Sequence, residues 1–288
     1  MVDFSGRLSA PSSTPSTMTA PESGPIAALL RLLRLATIEQ WRALQRDYPV
    51  DSEASERDHL KLLGFYLLAA LVLLANDYYA KDSFKMLLSE DITRGPNRHF
   101  FRRLWWAWFL CASYIVPLAL YARLVLGMGA AQLGLSMRGF VRHSWLYVVG
   151  FLIVLPFVVM VSDEPGFLKT YPFYRGAGSS WSHLISWELS YAAQFIGLEF
   201  FFRGAMLFCA VRLLGPWAIP VMVFPYMMLH FNKPVLECVG SILAGVALGI
   251  VALRTGAIYA GMVIHIGVAW TMDLLALSHK GVLQKLLL

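Results

Sequence analysis

The feature that most constrains this chain is a set of apolar runs close to membrane-spanning length. They cover residues 62–80, 104–126, 146–161, 185–214, 218–231, 235–253 and 257–277. A helix crossing a bilayer needs about 20 predominantly apolar residues, a length of run that a soluble core does not require. The expected fold is therefore all-α: a polytopic transmembrane helical bundle of seven or eight helices. Composition agrees, with 58% hydrophobic and 15% charged residues, against about 45–50% and about 25% in soluble domains. The run 185–214 is too long for one ordinary span and reads as a long tilted helix or as two helices joined near Gly197. Residues 81–103 and 163–182 read as polar connections, and Trp105, Trp106 and Trp108 as an interfacial aromatic belt.

The chain divides into four regions. Residues 1–24 are rich in Ser, Thr and Pro, lack an apolar signal core and are expected to be a disordered tail. Residues 25–55 form an amphipathic segment: Ile26, Leu29, Leu30, Leu33, Ile38, Trp41 and Leu44 share a side that Arg31, Arg34, Glu39, Arg42 and Arg46 interrupt. Such a helix lies at a membrane surface or packs on the protein's own cytoplasmic face. Residues 56–182 carry N-terminal transmembrane helices and residues 183–288 a second membrane core that holds the chemistry. The net charge of +6 comes from Lys and Arg beside apolar runs, where they set topology and meet anionic lipid. The lipid bilayer, not nucleic acid, is the expected partner. Seven Lys/Arg before the first span and six in the first loop leave topology nearly balanced. A cytoplasmic N-terminus is expected, because a long Arg-containing segment would otherwise have to cross. The expected location is integral and multi-pass, in a bacterial inner (plasma) membrane. Cys111, Cys209 and Cys238 are scattered through apolar segments without CxxC spacing, which fits packing residues rather than disulfides or a metal knuckle.

Ionisable residues inside these runs cost about 2.5–3.5 kcal/mol each on insertion scales and are functional by default. Glu199 and Arg203 stand four apart on one helix face. They form either a buried ion pair that orients helices or a carboxylate held charged for general-base work. His230 ends a short run, and Glu237 falls in the first turn after Pro234. There it either answers the helix dipole or reaches the same pocket as His230. His265 lies mid-run near Gly261, Gly267 and Ala269. Asp273 is eight residues further on the same face, about 12 Å along the axis, so it orients another partner or marks the membrane edge. Ser241, Gly245 and Gly249 form a small-residue stripe suited to close helix packing. HExxH, GxSxG, P-loop and GxGxxG motifs are absent. A Glu/His/His set remains, able to activate water directly or to bind a divalent metal such as zinc.

These residues, in this order, resemble the CAAX protease and bacteriocin-processing family of intramembrane endopeptidases, which includes the type II CAAX prenyl endopeptidase. Its Glu-Glu-x-x-x-Arg motif stands here as Leu198-Glu199-x-x-x-Arg203, its Phe-x-x-x-His motif as Tyr226-x-x-x-His230, and its His-x-x-x-Asn motif as His265-x-x-x-Ala269. The stretch 253–258 is also family-like, and the match covers about residues 183–277. The resemblance implies a glutamic intramembrane peptidase acting on a protein or peptide substrate in the membrane. Glu199 and His230 would polarise water, His265 would stabilise the oxyanion and Arg203 would hold Glu199. Leu198 and Ala269 depart from the family pattern. Glu188, Glu237 and Asp273 are candidate substitutes for the missing glutamate. The alternative is a catalytically inactive scaffold or immunity-type binder on the same fold. A proton-coupled carrier is a third reading, though no inverted repeat supports it. No cofactor is expected if water is activated directly; a His230/His265/Glu199 zinc site is the metal-dependent alternative.

Overall fold

The computed structural model describes residues 38–231 and 233–287. The expected tail 1–24 and the first part of the amphipathic segment lie outside them. The membrane helices all lie within the unit Ala43–Leu288. Among the described residues there are helices and turns only, and six helical stretches are long and apolar enough to cross a membrane. We number the principal helices α1 (Glu56–Tyr79), α2 (Arg98–Leu124), α3 (Ser144–Val161), α4 (Trp181–Glu199), α5 (Phe208–Leu214), α6 (Ala218–Met228), α7 (Val235–Thr255) and α8 (Tyr259–His279). The chain is an all-α polytopic bundle, as its apolar runs require.

The bundle is organised around one hairpin. Its apolar window in Trp181–Met228 is 67% buried, whereas that of α3 is only 11% buried. The first therefore forms the core, and α3 turns most of its surface to lipid. Helix α4 does not break at Gly197. It runs into a π-helical segment, Phe200–Leu207, and then α5. Gly197 is instead where α2 crosses: a Cβ there would sit 2.7 Å from the Cα of Cys111. The chain reverses at Gly215, whose φ of +55° favours glycine. The reversal lays α6 back along the π segment, with the rings of Phe202 and Tyr226 5.3 Å apart.

The Ser241/Gly245/Gly249 stripe lets α7 close on α6. Cβ atoms at Gly245 and Gly249 would meet Val223 at 2.9 Å and Ile219 at 3.1 Å. At the far end of α7, Tyr48 donates to the Leu253 carbonyl at 2.7 Å and Arg254 pairs with Asp47 at 2.6 Å.

Two connections differ from their sequence reading. Helix α2 starts at Arg98, inside the expected polar loop, and short helices Ser83–Leu87 and Glu90–Arg94 precede it. The segment 163–180 is not merely polar: Phe167, Tyr171, Tyr174 and Ala177 are buried. Trp105 and Trp108 donate to Ser83 and Ser190, and Trp106 stacks on Phe173 at 5.5 Å. These indoles therefore tie the bundle together.

Candidate active site

Helices α4, α6 and α8 and the π segment converge on one buried carboxylate. Glu199, the last residue of α4, is 0% exposed, and Arg203 one turn later is 1% exposed. Arg203 Nη1 donates to Glu199 Oε1 at 2.8 Å. His265 Nδ1 reaches the same oxygen at 2.5 Å. A charged carboxylate only accepts, so Nδ1 carries the proton. The other ring nitrogen, Nε2, lies 2.8 Å from the Tyr226 hydroxyl. In neutral His265 that nitrogen accepts the tyrosine proton. Phe195 stacks on the imidazole at 5.6 Å, and the Arg203 guanidinium lies 4.2 Å from the Tyr226 ring centroid, close enough for a cation–π contact. The result is a continuous chain, Arg203–Glu199–His265–Tyr226, closed on itself by the guanidinium over the tyrosine ring.

The chain depends on a glycine. The Cβ of an alanine at Gly261 would fall 1.9 Å from Glu199 Oε2. Helix α8 can therefore approach close enough for His265, one turn beyond, to reach the carboxylate. Glu199 Oε2 and the Nε and Nη2 atoms of Arg203 have no hydrogen-bond partner among the described residues.

His230 stands apart from this chain. It follows the end of α6, and its Nδ1 lies 3.1 Å from the Tyr226 carbonyl. A carbonyl only accepts, so Nδ1 donates and Nε2 is left as an acceptor. The Tyr226 ring centroid is 5.0 Å from that of His230 and 6.1 Å from that of His265. Tyr226 thus lies against both histidines, while the hydrogen bond to Glu199 comes from His265 rather than His230. His230 also lines a cavity of about 510 Å³ with Lys233 and Cys238. Helix α6 is only 11 residues long, shorter than the roughly 20 residues that a full crossing needs.

The three supporting candidates do not join Glu199. Asp273 is 0% exposed and holds two donors, Phe173 N at 2.9 Å and Trp187 Nε1 at 2.8 Å. It ties segment 163–180 and α4 to α8. Glu237 pairs with Lys233 at 2.6 Å and accepts from the Tyr171 hydroxyl at 3.2 Å. Burial, and then the Glu237 carboxylate, raise the Tyr171 hydroxyl well above its usual range and keep it a donor. The Glu188 carboxylate has no hydrogen-bond partner among the described residues, and at eleven residues it lies about 16 Å along the helix from Glu199. Leu198 and Ala269, at 6% and 4% exposure, pack in the apolar interior.

Sequence reading missed the Tyr226 hydroxyl and Phe195. Tyr226 was visible as a departure from the family's phenylalanine, but nothing in the spacing showed that its hydroxyl would meet His265. For the zinc alternative, no group of three His, Cys, Asp or Glu side chains among the described residues could hold a metal ion. Both nitrogens of His265 are already engaged by protein groups.

Fold and site together define a polytopic helical membrane protein with a buried, charged Glu–Arg–His–Tyr centre. Residues 180–271 match the family model described as Type II CAAX prenyl endopeptidase Rce1-like. That stretch is similar to a CAAX-protease-type domain, which is consistent with the resemblance to the CAAX protease and bacteriocin-processing family. The match begins at α4 and ends within α8, so it contains Glu199, Arg203, Tyr226, His230 and His265. No curated protein and no solved structure matches the chain.

Proposed function

We propose that the chain is an intramembrane endopeptidase that cleaves membrane-proximal or C-terminal segments of protein substrates. The observation that carries this reading is the fully buried Glu199 carboxylate, paired with Arg203 and hydrogen-bonded through His265 to the Tyr226 hydroxyl. Such a charge is costly at membrane depth, and the Rce1-like match gives it a use. His230 Nε2, free to accept, takes a proton from water. The hydroxide attacks the peptide carbonyl carbon, and the C–N bond then breaks as the amine takes the proton back from His230. Glu199 stays charged and fixes His265. Because both His265 nitrogens face protein groups, its support for the oxyanion runs through Tyr226: with both ring nitrogens protonated, Nε2 donates to the Tyr226 oxygen and the hydroxyl proton turns to the oxyanion. That differs from direct donation by His265 and from a Glu199–His230 water pair. Preorganised donors of this kind contribute about 2.7–4 kcal/mol each. No metal step is part of the proposal.

The test compares protein termini across membranes of cells carrying wild type, Glu199→Gln or His230→Ala at matched expression. Uncleaved peptides shared by both variants support proteolysis and name the substrate. Identical termini in all three overturn it and favour a second reading, an inactive scaffold or immunity-type binder. The observation behind that second reading is specific: apolar Leu198 and Ala269 fill two positions where the family carries polar groups.

A further inference from the structure

Away from the candidate active site, a cavity of about 500 Å³ opens where segment 163–180 meets the end of α8. Lys169, Arg175 and Lys280 line it, and so do Leu168, Leu277 and Val282. No carboxylate lines it, and none of the three cations forms an ion pair among the described residues. Lys280 donates to the Tyr171 carbonyl at 2.5 Å. Burial, and then the Arg175 guanidinium, hold its ammonium below the usual range. Three like charges converging on one cavity repel each other unless an anion joins them.

The surroundings indicate what kind of anion fits. The cavity lies at the end of the bundle where α3 and α8 finish and α4 begins, and the ends of apolar spans are where lipid headgroups are expected. Trp181, 47% exposed, anchors that end by donating to the Leu286 carbonyl at 2.9 Å, as interfacial tryptophans do. The lining combines cations with aliphatic side chains, the pairing that a phosphate with attached acyl chains requires. The segment that carries Lys169 and Arg175 is itself held in place, by Phe173 N on Asp273 and by Lys280 on Tyr171. The volume falls within the range of about 300–1,000 Å³ typical of small-molecule sites, and basic pockets between membrane helices are known to take anionic headgroups.

We propose that Lys169, Arg175 and Lys280 form a binding site for the headgroup of an anionic phospholipid. The site does not depend on the peptidase reading. Its test uses the full chain in detergent micelles, titrated with phosphatidylglycerol, phosphatidylcholine or inorganic phosphate and followed by native mass spectrometry. Phosphatidylglycerol is expected to bind in preference to phosphatidylcholine. The double variant Lys169→Gln/Arg175→Gln removes two of the three cations and should weaken that binding about thirtyfold, at about 1 kcal/mol per cation. The control Lys81→Gln/Lys85→Gln removes two charges from the same end of the bundle and should leave binding unchanged. Equal loss in both variants would mean a diffuse surface field and overturn the site. Equal binding of the two lipids would overturn it too. Phosphate alone competing fully at the concentration of lipid would make it a soluble-anion site and overturn the lipid assignment.

Discussion

The substitution Gly261→Ala probes the centre of the candidate site with a single methyl group. Its Cβ would lie 1.9 Å from Glu199 Oε2 and 2.6 Å from Cδ, where ordinary contact begins at about 3.5 Å. Something must move by about 1.5 Å. The carboxylate is held at 2.8 Å by Arg203 and at 2.5 Å by His265. Retreat of α8 offers no relief, because His265 rides on the same helix one turn away and would be pulled from Glu199 as well. Overpacking of this kind costs about 1–3 kcal/mol, and freeing a buried charge from its partner costs about 3–5 kcal/mol. We expect Gly261→Ala to lower stability by at least the first amount and to abolish activity. The measurement is unfolding of the purified protein in detergent, beside two comparisons. Gly240→Ala, on α7 with nothing within 4 Å of the new Cβ, should be neutral or gain up to about 1 kcal/mol from helix propensity. Gly261→Ala made in a Glu199→Ala background should cost close to nothing, because the atoms it would strike are gone. If Gly261→Ala is as benign as Gly240→Ala, or costs the same in both backgrounds, Glu199 is not packed against α8 and the reasoning fails.

Three further outcomes are expected. Tyr226→Phe removes one hydrogen bond to His265; stability should fall by only about 0.5–1.5 kcal/mol, while cleavage should fall by about 10²–10³, and equal small effects on both would assign the hydroxyl a purely structural role. Asp273→Ala leaves Phe173 N and Trp187 Nε1 without their acceptor, at about 1–3 kcal/mol for each orphaned group; protease nicking within residues 163–180 should rise, and unchanged nicking would refute the tether. Dialysis against a chelator should leave cleavage intact, whereas loss restored specifically by zinc would replace direct water activation with a metal-dependent mechanism.

The sequence by itself determined the class of this protein. Apolar runs near bilayer length admit few folds, because a backbone in lipid must satisfy its own hydrogen bonds; the all-α bundle follows from that alone. The Ser241/Gly245/Gly249 stripe was equally legible, since its spacing of four puts three small residues on one helix face, and α6 packs there. The Glu199–Arg203 pair could be read from its i, i+4 spacing, and the ordered motifs led to the family whose model matches residues 180–271.

Only the tertiary structure decided which histidine touches the carboxylate. Spacing along one helix says which residues share a face; it carries no information on the depth at which another helix crosses. His265 reaches Glu199 because Gly261 brings α8 close, whereas His230, just beyond α6, turns its Nδ1 to the Tyr226 carbonyl. Gly197 suggested a break in the sequence, yet it is a crossing point, since a missing side chain permits a bend and a close approach alike. The same limit explains Asp273 and Glu237. Their charges were plain in the sequence, but their partners come from segments a hundred residues away in the case of Asp273, and sixty-six away for the Tyr171–Glu237 bond. Which atoms meet is settled by helix packing in three dimensions, and no one-dimensional pattern encodes it.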